Sequence, residues 1–122
     1  MGFLSGASRP EVDRRQSLAG VPIWNEGVTL EEQENGWVLI RQRMRRGKGW
    51  FARFQPPVME RSIRLDELGS FVARLIDGQR NTSAIVAAFC KQYRVNRREA
   101  LLSTVEFLKS LIKRGAVSIL IR

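Results

Sequence analysis

The sequence predicts an α+β domain in which short strands come first and three helices follow. Two observations carry that reading. The stretch "WVLIRQRMRR" from residue 37 alternates with period two, the spacing of a strand with two unlike faces. From residue 66 to 114, apolar residues return at helical spacing in three segments, each with its own start and stop signals. The chain has 122 residues, enough for one domain of ordinary size, and 43% of them are hydrophobic, enough for a buried core.

Residues 1–24 mix Gly, Ser, Pro and charge without either period, so they are expected to form an N-terminal extension that is flexible or docks on a partner. The domain proper is expected at 25–122. Its first strand is predicted near 37–45, with Val38, Ile40, Gln42 and Met44 on one face and Trp37, Leu39, Arg41 and Arg43 on the other. "RGKG" at 46–49 offers turn glycines, and "WFARF" at 50–54 reads as the returning strand. "QPP" at 55–57 closes it, because proline cannot donate to a ladder. "RSIRL" at 61–65 is predicted as a third strand, with Ile63 and Leu65 toward the helices and Arg64 nearer solvent.

The first helix is predicted over 66–76. Asp66 can cap it, and Leu68, Phe71, Val72, Leu75 and Ile76 form one apolar face. Asp77-Gly78 ends it. Gly69 in its interior costs about 1 kcal/mol relative to Ala, which points to the close approach of another backbone. The second helix is predicted over 82–93, burying Ile85, Val86, Phe89 and Cys90. The third is predicted over 97–114, with Asn96 and Glu99 as a capping box and Gly115 as its stop. Its apolar stripe centres on Leu101, Val105, Leu108 and Ile112. Ala100, Thr104, Phe107 and Leu111 widen it on one side and Leu102 on the other, so the helix is either sandwiched or lines a groove. "AVSILI" at 116–121 is a final short strand or an ordered tail.

The catalytic inventory is sparse. There is no histidine, which removes the commonest general base, every Ser-His or Cys-His pair and most zinc sites. The single Cys90 builds neither a disulfide nor a metal cluster, and on the apolar side of a helix it reads as core. Glu31-Glu32 reads as solvent-facing. No metal, cofactor or catalytic site is expected, and the sequence points to binding. No run is apolar and long enough to span a bilayer and no secretory signal is evident, so a soluble, cytoplasmic protein is expected.

Lys and Arg number 21 against 12 Asp and Glu, a net charge of +9. That balance fits nucleic acid, an anionic membrane face or an acidic peptide. The run Arg41, Arg43, Arg45, Arg46 and Lys48 has two readings: a patch that touches phosphate, or an edge strand and turn kept soluble by charge. Trp24, Trp37 and Trp50 can stack on a ligand or anchor the hairpin on the helices.

The segment 61–117 resembles the PqqD-like family, proteins similar to the pyrroloquinoline quinone biosynthesis protein D that serve as RiPP recognition elements. Leu65, Asp66 and Gly69, then Asp77-Gly78, then Thr82 with Ile85, and finally Gly115 occupy the places of the family pattern. The chain departs from it at Ala73, where members often carry Trp, and in its long basic hairpin and its tail. The resemblance implies a winged helix-turn-helix-like fold, with a three-stranded N-terminal antiparallel sheet packed on three helices. It also implies a peptide-binding set: Arg61, Ser62, Ile63, Arg64 and Leu65 of the third strand, with Arg97, Ala100, Leu101 and Thr104 of the third helix. The implied partners are the leader of a ribosomally made precursor peptide, captured by strand addition, and a modifying enzyme, often of the radical SAM class. Two other readings stay open: a small basic docking subunit of a larger assembly, and a winged-helix DNA-binding regulator. Against the latter, the third helix presents a broad apolar arc where base readout needs polar side chains, so no specific nucleic acid is expected.

Overall fold

A computed structural model describes residues 18–45 and 58–121. In chain order these form β1 (Val21–Trp24), β2 (Val28–Glu32), β3 (Val38–Arg45), β4 (Val58–Arg64), α1 (Glu67–Leu75), α2 (Thr82–Tyr93), α3 (Arg97–Lys113) and β5 (Val117–Leu120). The fold is α+β. Strands β2, β3 and β4 make an antiparallel sheet in that order, and β1 pairs with β5 in a second, two-stranded antiparallel sheet.

The period-two reading of β3 holds in part: Val38, Ile40 and Gln42 are buried on the face toward the helices, with Ile40 opposite Ile63 of β4, but Leu39 on the other face is buried as well. The pairing differs from the sequence reading. Strand β3 is the centre of its sheet, with β2 on one side and β4 on the other. The turn glycines at 46–49 and the strand expected at 50–54 lie outside the described residues. Strand β2 left no periodic signal because it buries almost nothing. Val28 is half-buried, and Thr29 through Glu32 are exposed, so backbone pairing to β3 holds it in place.

The extension expected to run to residue 24 loses its last four residues to β1. Val21 and Pro22 are buried, and the strand pairs with β5 almost a hundred residues later in the chain. Its neighbours tie together three helix ends. Trp24 Nε1 donates to the Ile76 carbonyl at 3.2 Å, just past α1. The Thr82 amide and hydroxyl both donate to the Gly20 carbonyl, at 2.9 and 3.0 Å, at the start of α2. Asn25 Nδ2 donates to the Gly115 carbonyl at 2.7 Å, just past α3.

All three helix starts are capped by a side chain. Asp66 Oδ1 accepts from the Gly69 amide, Asn81 Oδ1 from Ala84 and Asn96 Oδ1 from Glu99, each at 2.8 Å. Such a cap satisfies one of the four amides that a helix start leaves orphaned. After α1, Asp77 accepts from the Gln79 and Arg80 amides at 2.9 Å each, and these bonds hold its carboxyl below the usual carboxylate range. Gly78 follows at φ 78°, a conformation that disfavours any Cβ.

Two helix faces are rotated from their apolar stripes. On α1 the buried residues are Gly69, Ser70, Val72 and Ala73, while Leu68 is exposed. Ser70 turns inward because its Oγ accepts the Val38 amide at 2.8 Å, where β3 begins. On α3 the buried line is Ala100, Thr104, Leu108 and Leu111, with Ile112 and Leu102 exposed. Here α2 and the sheet, not the count of apolar residues, set the rotation. The core joins Ile40, Ile63 and Leu65 of the sheet region to Val72, Ile85, Phe89, Leu108 and Leu111 of the helices.

Two stability predictions arise at this level. Thr104 is fully buried and its Oγ1 has no hydrogen-bond partner among the described residues. Thr104→Val keeps the shape and removes the orphan, so urea denaturation is expected to show a gain of roughly 1 kcal/mol. Arg94, at the end of α2, adopts φ 52° and ψ 40°, a left-handed conformation that costs a side chain about 1–2 kcal/mol. Arg94→Gly is expected to stabilise by roughly 0.5–1 kcal/mol, seen as a higher denaturation midpoint at unchanged slope.

Candidate functional site

Strand β4 is one edge of its sheet, and its backbone direction can be read from the ladder. The Leu65 amide donates to the Val38 carbonyl at 3.0 Å, and Ile63 and Arg61 lie opposite Ile40 and Gln42 in the same register. Amide and carbonyl of one residue point to the same side of a strand, and the sides alternate. Arg61, Ile63 and Leu65 therefore spend their backbone groups on β3. Glu60, Ser62 and Arg64 aim theirs outward, toward the open edge. Side chains alternate in step: Ile63 and Leu65 are buried, whereas Glu60, Ser62 and Arg64 are exposed on the opposite face.

A flank of α3 borders this edge. The ring of Phe107 lies so close to Gly69 that a Cβ there would stand 3.0 Å from Phe107 Cε1 and 3.4 Å from Leu65 Cβ. The close neighbour expected at Gly69 is thus an aromatic side chain, not a backbone. At the end of the helix, the Arg114 carbonyl accepts from Gln42 Nε2 at 3.2 Å, which holds the last turn of α3 on the central strand β3. Phe107 and Arg114 were not among the sequence-derived site residues; the widened flank of α3 and the interior glycine were the signals that pointed toward Phe107.

The expected helix residues fall differently. Ala100 and Thr104 are sealed in the core and can support the helix but touch no ligand. Leu101 is half-buried, and Arg97 donates to Ser83 Oγ of α2 at 3.2 Å. The strand residues Arg61 to Leu65 come together as one edge, and of the helix residues Leu101 packs on the core cluster that contains Ile63 and Leu65.

The basic run is largely neutralised where it is described. On the outer face of the sheet, Arg41 pairs with Glu31 and with Glu60 at 3.3 Å, and Arg43 meets Glu60 at 3.8 Å. The hydrogen bond that Arg41 donates to Glu31 raises the Arg41 pKa further. The side chain of Arg45, and Arg46 and Lys48, lie outside the described residues. Glu31 and Glu32 are exposed as expected, and Glu32 meets Arg74 of α1 at 3.1 Å. Arg74 also donates to the Gly36 carbonyl, fixing the β2–β3 turn to α1. Among the tryptophans, Trp24 anchors on α1, Trp37 is exposed, and Trp50 lies outside the described residues. Cys90 is half-buried with its thiol on the Val95 carbonyl, a packing role. Among the described residues no helix is long and apolar enough to cross a membrane.

An antiparallel sheet whose outer strand β4 is left unpaired among the described residues, followed by three capped helices, defines a small α+β module with a strand edge to offer. Residues 37–117 match the family model of coenzyme PQQ synthesis protein D, and the chain belongs to the PqqD family. Its fold is also similar to that of a solved structure, TbiB1 in complex with the TbiA(beta) leader peptide. The TM-score is 0.60 at 19% identity, over 79% of this chain and 94% of that one. None of the curated proteins matches the chain.

Proposed function

We propose that this protein is a non-catalytic peptide chaperone. It captures the leader of a ribosomally made precursor by adding it as a strand to β4, and presents it to a modifying enzyme, of which a radical SAM protein is the favoured kind. The observation that carries this reading is the outward backbone of Glu60, Ser62 and Arg64, a row of main-chain donors and acceptors that no strand covers among the described residues. Bare edges of this kind invite pairing with another chain. Membership of the PqqD family and the likeness in fold to TbiB1, itself held in complex with a leader peptide, support the same reading.

Hydrogen exchange tests it directly. Without ligand, the Ser62 and Arg64 amides are expected to exchange fast, and the Ile63 and Leu65 amides slowly. On adding a candidate precursor leader encoded near the gene, Ser62 and Arg64 should become protected. Saturable binding with no protection there would refute strand addition at β4.

A further inference from the structure

We infer, on the basis of the strand-addition reading, that β4 selects a segment carrying two acidic residues three positions apart with an apolar residue between them. The selection follows from how charge is distributed along the edge. Glu60, at one end of the outer face, already faces Arg41 and Arg43. Arg64, at the other end of that face, is exposed and has no carboxylate within ion-pair distance among the described residues. Arg61 is also exposed without such a partner, but its side chain leaves the strand on the face toward the helices. Between the two cations Ile63 is buried on the helix side, and the half-buried Phe107 stands beyond Arg64, at the Leu65 end.

An added strand places each residue opposite one of β4 and on the same face as that residue. Opposite Arg64 the ligand's side chain is on the outer face, beside a free guanidinium, and a carboxylate fits. Opposite Ile63 it turns toward α3, and an apolar side chain fits. Opposite Ser62 it returns to solvent and is not constrained. Opposite Arg61 it lies on the face toward the helices, beside the exposed Arg61 guanidinium, and a second carboxylate fits. In one strand direction this reads acidic–apolar–any–acidic, and in the other acidic–any–apolar–acidic.

The test uses labelled eight-residue host peptides in both orders, with Glu at both acidic positions, Gln at both, or one of each, followed by fluorescence anisotropy. Exposed charge pairs are modest, so the double-Glu host in the better order is expected to bind about tenfold tighter than the double-Gln host. The gap should close near about 0.5 M salt, where screening is short-ranged. Arg64→Gln should remove the dependence on one Glu, and Arg61→Gln the dependence on the other. Equal affinity of the Glu and Gln hosts, with Ser62 and Arg64 amides still protected, would overturn this inference and leave strand addition standing. Failure of every host, and of the natural leader, to protect those amides would overturn both.

Discussion

Ser62→Pro is expected to fold with an unchanged circular-dichroism spectrum and to lose leader binding by at least about tenfold in isothermal titration. Both halves follow from the ladder. The Ser62 amide points to the open edge, so proline there removes no bond to β3. Edge strands accept proline in this orientation, and the preceding Arg61 is already extended, as a residue before proline prefers. The bound strand, however, loses a main-chain donor and meets the pyrrolidine ring where it needs close approach. Ile63→Pro is the contrasting variant. It removes an inward amide and a buried side chain, and is expected to unfold the protein. Full affinity in folded Ser62→Pro and Arg64→Pro variants would mean that this edge is not the site.

Removing residues 1–24 is expected to cost roughly 3–5 kcal/mol, a large part of the stability of a domain this size. The deletion takes away two buried side chains, Val21 and Pro22, and bares Val117 on β5. It also strips the Ile76 carbonyl of the Trp24 indole and the Thr82 hydroxyl of its Gly20 partner, and the latter lies buried. Unsatisfied buried polar groups are expensive. Thermal unfolding of the truncated chain gives the measure. An unchanged midpoint would show that β1 is an accessory strand and not a part of the folded unit.

The sequence by itself determined the helices and their ends. Caps and periodicity act within a few residues, so Asp66, Asn81, Asn96 and Gly78 announce their roles locally, and the helices appear where expected. The same locality made β3 and β4 legible, since β4 buries alternate residues and β3 does so apart from Leu39, and the family pattern in 61–117 rests on those local features. Tertiary structure alone decided the rest. Strand β1 is four residues long and exists only because β5, almost a hundred residues on, supplies its hydrogen bonds, and β2, which exposes most of its side chains, is held by backbone pairing to β3. The rotation of α1 and α3 depends on neighbours: an apolar stripe shows which residues prefer burial, but packing chose Ser70 and Thr104 over Leu68 and Ile112. The candidate site divides along the same line. Arg61 to Leu65 follow from a single stretch of chain, whereas Phe107 and Arg114 join them through contacts between residues about forty to seventy positions apart, a distance that no local pattern records.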